Sequence, residues 1–332
     1  MAPQDSTPSD RNAGNLRAAA TVHLARCFTR ARPVLAALVT RTAEQSLLLV
    51  ATDHDGFPIA QTVIDPPRGL PYAIVIGRHN RCGLTTPSDP QVSLRHLLLV
   101  AQPGSSNVRL RGYDLGGRTG VVLADGNRVP GFSAHGQVAL GLGRSALFVL
   151  PGGDPGLELL QGDETAAYRR LTGLDVGGGG QGLTLAAIAE ASPTELGGYR
   201  SIDPNKLPEP RGTLHLRAAE TRAREDQEAS PPDQRDLEIN KEQLARGLLI
   251  GRYSDRCSLA GSGRNLSRVH ALVTQESPSS LLVFDLASTN GLRPGDQTGG
   301  PGHTVVRIAE NEPCRLGRFQ LSWTPPQAPT IH

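Results

Sequence analysis

The stretch GRYSDRCSLAGSGRNLSRVHALVT, residues 251–274, recurs in a looser form as GRHNRCGLTTPSDPQVSLRHLLLV, residues 77–100. In both copies a serine follows an arginine by fifteen positions, and a histidine follows the serine by three. Two further pairs of blocks match in the same order: DLASTNG (285–291) with DLGGRTG (114–120), and Leu316-Gly317 with Leu140-Gly141. Four blocks in one order at nearly constant spacing indicate an internal repeat.

Short apolar segments separated by turns surround each copy. In the first half they are SLLLVAT, IAQTVI, YAIVIGR, LRHLLLVAQ, VRLRGYDL, GVVLADGNRV and QVALGLGRSALFVLP. In the second half they are TLHLRA, LEIN, GLLIGR, VHALVTQ, SLLVFDL and CRLGRFQLSW. Asp125-Gly126 within the first set is a strong hairpin signal. Such runs without a helix predict a mainly β protein with two sandwiches, at 46–151 and 212–326.

The remaining segments have a different composition. The connector, residues 152–211, contains the helix-forming GLELLQGDETAAYRRL and GLTLAAIAEA on either side of Gly177–Gly180, so we expect it to be partly helical. The charged run from Glu220 to Arg235 is typical of an unstructured insert.

The N-terminal segment, residues 1–45, is expected to combine a disordered tail with a helical extension. Residues 1–15 are rich in Ser, Pro and Asp. The Ala- and Leu-rich run 16–39 predicts a helix interrupted at Pro33. It has several arginines and no acid, like a transit peptide, but we favour a small helical appendage.

The bulk composition excludes several classes of protein. A formal net charge of +2 is too small for a dedicated nucleic-acid or membrane-surface binder. No apolar run reaches the roughly 20 residues of a membrane span. Because the four cysteines are far apart, we expect reduced thiols in the cytoplasm, with no disulfide, metal or other cofactor. The Arg-, Ala-, Gly- and Pro-rich composition suggests a bacterial, GC-rich genome.

The order of the blocks resembles that of the forkhead-associated (FHA) domain. That family has a strand ending in Gly-Arg, then Ser-x-x-His, Asp-Leu-x-Ser-Thr-Asn-Gly and Leu-Gly. The second copy matches every block, and the first copy matches more loosely. The resemblance implies sandwiches of two twisted sheets whose loops at one end bind phosphothreonine peptides.

By resemblance, Arg252 and Ser267 contact the phosphate and Asn290 hydrogen-bonds the peptide backbone beside it. Thr289 and Asn265 are secondary contacts on the same grounds. These residue types suit the ligand, because a phosphothreonine presents nearly two negative charges and three strong acceptor oxygens. An arginine supplies a permanent cation, and its hydrogen bonds to an anion are about twice as strong as neutral ones.

Other residues of the motif are expected to shape the loops without touching the ligand. His270 resembles a histidine that braces the binding loops, and Gly291 suits a tight turn with positive φ. The further structural positions are Gly251 and Asp285 in the second copy and Gly77 and His96 in the first.

The first copy keeps Arg78 and Ser93 but has Arg118-Thr119 in place of Thr289-Asn290. Thr119 can replace one hydrogen bond of the missing amide, yet a hydroxyl does not supply the donor and acceptor of an amide together. Two interpretations remain open. Either Arg78 and Ser93 bind phosphate with added charge from Arg118, or the module is retained for packing.

Enzymatic interpretations have little support. Ser267, His270 and Asp285 suggest a hydrolase triad, but no G-x-S-x-G elbow surrounds the serine. Gly177, Gly179 and Gly182 satisfy G-x-G-x-x-G with Asp203 some twenty residues later, but the connector is too short for a dinucleotide fold. The chain has no P-loop, H-E-x-x-H or kinase signature. A non-enzymatic protein is therefore predicted.

The predicted function is a phosphothreonine-dependent adaptor in Ser/Thr kinase signalling. Its ligand would lie on a kinase, on a kinase substrate or on the N-terminal tail, which contains Thr7-Pro8. The alternative is a phosphate-independent scaffold in a multiprotein assembly, such as one for secretion or in the cell envelope. The sequence does not specify the partner, the peptide preference or the oligomeric state.

Overall fold

The computed structural model describes residues 8–67, 69–104, 108–172, 200–201, 212–218, 234–262, 266–295 and 302–326, with the backbone alone at 8–16 and 200–201. Several predicted features therefore lie outside the described residues: Thr7, Gly177–Gly180, GLTLAAIAEA, Asp203, Asn265 and the insert up to residue 233. The chain divides into two compact units, Met1–Ser201 and Ile202–His332.

The described residues of the first unit form three helices and twelve strands. The helices are α1 (Pro8–Val39), α2 (Gly153–Leu160) and α3 (Glu164–Thr172). The strands are β1 (Leu47–Thr52), β2 (Pro58–Ile64), β3 (Tyr72–Gly77), β4 (Leu84–Thr85), β5 (Leu97–Gln102), β6 (Arg109–Asp114), β7 (Val121–Val122), β8 (Arg128–Val129), β9 (Gly131–His135), β10 (Val138–Leu142), β11 (Ser145–Pro151) and β12 (Arg200–Ser201).

These strands form two six-stranded sheets, ordered β2-β1-β11-β10-β7-β8 and β12-β9-β6-β5-β3-β4. Their facing sides enclose a core that includes Leu49, Leu99 and Leu147. The predicted sandwich is confirmed, and β7 and β8 form the hairpin expected around Asp125-Gly126.

The three helices cover the outer side of the first sheet and make a third layer. Phe28 of α1 is fully buried. Its ring packs edge-on against Phe148 of β11 and in a tilted arrangement against Tyr168 of α3. Leu48 and Val50 of β1 point into this layer, while Leu47 and Leu49 point into the sandwich. The uninterrupted apolar run LLLVA is therefore explained by burial on both faces.

The prediction that Pro33 interrupts the helix was wrong, because α1 runs through it to Val39. Pro33 lies on the exposed side of α1. The buried side, with Leu24, Phe28 and Leu35, offsets the roughly 3 kcal/mol that an interior proline costs. The predicted disordered tail was also too long, since residues 8–15 are helical.

The second unit has one described helix, α4 (Lys241–Arg246). Its strands are β13 (Gly212–Ala218), β14 (Gln234–Ile239), β15 (Leu248–Gly251), β16 (Leu259–Ala260), β17 (Ala271–Ser277), β18 (Ser280–Asp285), β19 (Leu292–Pro294), β20 (Val305–Ala309), β21 (Cys314–Leu316) and β22 (Phe319–Thr324). They form two five-stranded sheets, ordered β14-β13-β22-β21-β19 and β16-β15-β17-β18-β20.

The sheet orders repeat between the units even where the sequences do not match. The order β2-β1-β11-β10-β7 corresponds to β14-β13-β22-β21-β19, and β4-β3-β5-β6-β9 corresponds to β16-β15-β17-β18-β20. In each unit the strand that ends in Gly-Arg pairs in parallel with a two-residue strand and antiparallel with the strand after the histidine. The motif blocks therefore occupy corresponding places.

The sequence did not predict α4. Asn240 and Gln243 form a capping box there, in which each side chain accepts a hydrogen bond from the other residue's backbone N–H. Six residues are too few to show a helical period, so the capping signature was the available signal. No helix among the described residues is long and apolar enough to span a membrane.

Candidate functional site

Arg252 and Ser267 of the second unit are brought together by the glycine at the end of β15. A Cβ atom on Gly251 would lie 2.4 Å from the carbonyl oxygen of Arg268, so a side chain there would force the two segments apart. Without one, Arg252 N donates to the Ser267 carbonyl at 2.9 Å and Tyr253 N donates to the Arg268 carbonyl at 3.0 Å. The Arg252 side chain is exposed.

His270 is fully buried and joins three motif blocks. Its Nδ1 accepts from Ser267 N at 3.1 Å, which leaves the proton on Nε2 to donate to the Gly291 carbonyl at 3.5 Å. Its backbone N donates to the Ile250 carbonyl, and its own carbonyl accepts from Leu286 N. The expected bracing role agrees with these contacts.

The loop after β18 presents Thr289 and Asn290 to solvent. Asp285 accepts from Ser288 N at 3.0 Å, and the Ser288 hydroxyl accepts from Gly291 N at 2.9 Å. Gly291 has the positive φ expected of it, 65°. Thr289 N donates to Ser267 Oγ at 3.4 Å, so this loop meets the serine.

Arg252, Ser267, Thr289 and Asn290 thus belong to one loop end, which we call the second loop end. It offers a guanidinium, a hydroxyl and an amide, which are the donors an anion requires. The hydrolase triad is not formed, because the Nδ1 atom of His270 accepts from the backbone of Ser267 rather than from its hydroxyl. Both ring nitrogens are used to hold the loops, so the imidazole is not placed to take a proton from Ser267.

The first unit has the same arrangement. A Cβ atom on Gly77 would lie 2.5 Å from the Leu94 carbonyl oxygen, and Arg78 N donates to the Ser93 carbonyl at 3.0 Å. His96 is fully buried. Its Nδ1 accepts from Ser93 N at 3.1 Å, and its Nε2 faces the Gly120 carbonyl at 3.0 Å.

The two loops share a backbone shape but differ in side chains. Gly116 and Ala287 both have positive φ, 77° and 53°, as do Gly120 and Gly291. Gly117 replaces Ser288, and a Cβ atom on it would lie 2.8 Å from the His96 ring. The glycine therefore accommodates the shorter histidine contact of the first unit, 3.0 Å against 3.5 Å in the second.

The side chains that face the ligand position in the second unit are changed in the first. Arg118 is exposed, but the Thr119 hydroxyl is buried without a hydrogen-bond partner, whereas Asn290 is exposed. The Arg78 Nε group donates to the Val92 carbonyl, which orients its guanidinium beside Ser93. The corresponding loops of the first unit therefore keep the arginine and the serine but have no outward amide at the position of Asn290.

Sequence reasoning missed that two cysteines belong to the repeat. The Cys82 thiol contacts the Leu94 carbonyl at 3.3 Å, and the Cys257 thiol contacts the Arg268 carbonyl at 3.4 Å. Burial raises the pKa of each thiol to about 11, so both stay protonated and pack beneath the loops. The signal was the Arg-Cys pair that follows each Gly-Arg pair within a few residues, Arg81-Cys82 in the first copy and Arg256-Cys257 in the second.

Tyr253 is another unpredicted feature. It is 45% exposed and is the one exposed large hydrophobic side chain in the described part of the second unit. Because it follows Arg252 directly, it adds an apolar surface beside the second loop end. Among the described residues, no group of three His, Cys, Asp or Glu side chains is arranged to hold a metal.

No protein-family model matches the chain, and no curated protein matches it. The chain is similar to solved FHA domains. One is the FHA domain of the CT664 protein from Chlamydia trachomatis, 19% identical over 34% of this chain and 96% of that one, with a TM-score of 0.26. Another, from a study of phosphothreonine-dependent FHA domain interactions, is 22% identical over 32% and 95%, with a TM-score of 0.24.

A third similar structure is Mycobacterium tuberculosis EmbR in complex with a low affinity phosphopeptide. It is 17% identical over 52% of this chain and 36% of that one, with a TM-score of 0.24.

Proposed function

We propose that the second sandwich binds a phosphothreonine-containing segment of a partner protein, and that the chain is a non-catalytic adaptor in Ser/Thr kinase signalling. The observation that carries the proposal is the convergence of Arg252, the Ser267 hydroxyl and the Thr289–Asn290 loop on one end of the sandwich, braced by His270.

The chemistry of this loop end favours a phosphate over a neutral ligand. Arg252, Arg256 and Arg268 are exposed there, with Asp255 as the exposed acid among the described loop residues. Arginine forms strong, planar hydrogen bonds to phosphate, and the serine hydroxyl and the asparagine amide add neutral donors. Loops held at the end of a rigid sandwich keep such donors in place, which lowers the entropic cost of binding.

The proposed partner is a kinase or a kinase substrate that carries the phosphothreonine, and a cytoplasmic location belongs to the same proposal. Of the similar structures, one comes from a study of phosphothreonine-dependent FHA domain interactions and another contains a low affinity phosphopeptide, which is in line with this ligand class. Two sandwiches on one chain would also gain avidity if their ligands lie on one partner.

The test is binding of the full chain to one peptide in three forms: with phosphothreonine, with phosphoserine and unphosphorylated. We expect the phosphothreonine form to bind best. Arg252→Ala should weaken its binding by about 10-fold or more, because a hydrogen bond to a charged group contributes about 1.5–3 kcal/mol. Since Arg252 is exposed, this substitution should leave the fold intact.

Arg246→Ala is the matched control. Arg246 precedes β15 whereas Arg252 follows it, so the two cations are at opposite ends of that strand. Arg246 is exposed and pairs with Glu242 at 2.6 Å, an interaction of small energy. Equal binding of the phosphorylated and plain peptides, or equal losses in the two arginine variants, would contradict the proposal and favour a phosphate-independent scaffold.

A further inference from the structure

One edge of the first sandwich is formed by β2, a strand of seven residues that carries no charged side chain. β2 pairs with β1 on one side, and among the described residues no strand lies against its other edge. Such an edge exposes unpaired backbone N–H and C=O groups, which soluble proteins usually protect with charges, prolines or very short strands. Pro58 and a bulge beside it blunt only the first end of β2.

The other long edge strands carry charged residues. In the part of the chain that the structure describes, β14 and β20 are the only other edge strands of more than three residues. β14 carries Arg235, Asp236 and Glu238, and β20 carries Arg307. The lack of charge is therefore specific to β2 and is not a general property of the edges of this protein.

The comparison of the two copies shows which positions differ. β2 and β14 occupy corresponding places in the sheet orders, and each ends in a buried isoleucine. Counted back from that isoleucine, Val63 corresponds to Glu238 and Gln61 to Asp236. All four side chains are exposed. Since like charges on paired strands repel, the edge of the second copy resists pairing with itself, whereas the edge of the first copy does not.

The exposed side of β2 extends an apolar surface that the helices cover only in part. α1 packs on β1, β10 and β11, and Leu48 of β1 is buried beneath the helical layer. Val63 lies beside Leu48 on the next strand and is 49% exposed. Ile59 and Phe57 are also exposed, at 38% and 53%. Neighbouring exposed apolar residues of this kind mark protein interaction surfaces.

The sequence of β2 matches itself in an antiparallel pair centred on Gln61. Such a pair places Ile59 of each copy opposite Val63 of the other, so apolar side chains meet apolar side chains. The two Gln61 side chains oppose each other, and an amide both donates and accepts hydrogen bonds. A twofold interface requires this self-matching, because both copies use the same surface.

We infer that β2 is a dimerisation strand, which pairs antiparallel with β2 of a second copy of the chain. Its free backbone groups gain hydrogen bonds, and Ile59 and Val63 gain apolar neighbours. Strands lie about 4.8 Å apart, so the two β1 strands would be about 14 Å apart. That spacing accommodates two α1 helices of about 10–12 Å diameter side by side. The inference does not depend on phosphate binding by either sandwich.

The first test is disulfide trapping of the full chain with Gln61→Cys. Opposed residues of an antiparallel pair have Cα atoms about 4.5–5.5 Å apart, and a disulfide spans about 4.4–6.8 Å. The four natural cysteines are buried, so they should not compete. We expect Gln61→Cys to form a covalent dimer under mild oxidation. Glu238→Cys is the matched control at the corresponding exposed position of β14, and it should remain monomeric.

The second test measures the monomer–dimer equilibrium by sedimentation, without any added cysteine. Val63→Glu installs the residue of the second copy and should weaken the dimer about 10-fold or more, because each carboxylate would lie against Ile59 of the other copy. The matched control is Val22→Glu, since Val22 is 43% exposed on α1. This control should leave the equilibrium unchanged, and both substitutions lie at exposed positions that should tolerate them in the folded chain.

Three outcomes would overturn the inference. The first is a wild-type chain that stays monomeric at high concentration with no trapping of Gln61→Cys, which would leave this edge to another segment or another protein. The second is equal trapping of Gln61→Cys and Glu238→Cys, which would indicate random collision. The third is an equal effect of Val63→Glu and Val22→Glu on the equilibrium.

Discussion

Replacing Gly251 by alanine should destabilise the second unit through steric overlap alone. The new Cβ atom would lie 2.4 Å from the Arg268 carbonyl oxygen and 2.9 Å from the Cys257 sulfur. Carbon and oxygen normally approach no closer than about 3.3 Å, so the two segments must separate by about 0.9 Å. The bond from Arg252 N to the Ser267 carbonyl, now 2.9 Å, would then exceed hydrogen-bond range.

The magnitude follows from the two bonds at risk. Each backbone hydrogen bond has a net contribution of about 1 kcal/mol, and overpacking by one carbon typically costs about 1–3 kcal/mol. The two figures estimate the same separation of the segments and are not added, so we expect the free energy of unfolding to fall by about 2–3 kcal/mol. With a urea m-value of about 2 kcal/mol/M, the midpoint should fall by about 1–1.5 M.

The fluorescence of Trp323 makes the urea-unfolding assay specific for the second unit. It is the only tryptophan of the chain and is buried in the core of the second unit, so its fluorescence follows the unfolding of that unit. Gly295→Ala is the matched control: Gly295 has φ of 56° with nothing within 4 Å of the added carbon. Ala287 already adopts φ of 53°, so we expect a cost of only about 1 kcal/mol there. A Gly251→Ala midpoint no lower than that of Gly295→Ala would refute the reasoning.

Three further predictions concern other contacts. Phe28→Ala should destabilise the first unit by about 3–5 kcal/mol, because it leaves a cavity between α1, β11 and α3. Circular dichroism would detect the earlier unfolding, and an unchanged unfolding transition in Trp323 fluorescence would show that the loss of stability is confined to the first unit. Arg307 donates to both carboxylate oxygens of Glu276 and holds the pKa of that carboxyl below its usual 4.5. A depressed pKa adds stability at neutral pH that is lost as pH falls below 4.5, so Glu276→Gln should lower the urea midpoint at pH 7 but much less at pH 3. Because all four cysteines are buried, a thiol reagent at pH 7 should label none in the native chain and all four in urea; rapid native labelling would contradict the packing of Cys82 and Cys257.

The first strand of each sandwich could be predicted from the sequence, but the environment of its two faces could be predicted only in part. Alternating apolar residues in TLHLRA predict a strand buried on one face, and β13 has that burial pattern. LLLVAT is equally recognisable as a strand, but the run does not say what covers its second face. The second face of this strand is covered by α1, α2 and α3, which contact it only through tertiary packing.

The candidate site divides in the same way. The spacing of the motif blocks predicted which residues lie in the loops after the Gly-Arg strand end and after the serine. It did not predict that Thr119 would turn its hydroxyl inward or that Arg78 would bind the Val92 carbonyl. Those outcomes depend on which atoms of distant segments compete for each side chain.

By itself, the sequence determined the repeat, the mainly β fold and the positions of the motif residues, because alternation, turn residues and spacing are local properties of the chain. The tertiary structure alone decided that α1 continues through Pro33 and that His96 and His270 each join three blocks. These features depend on contacts between residues far apart in sequence, whose energies exceed local preferences such as the helix-breaking tendency of one proline.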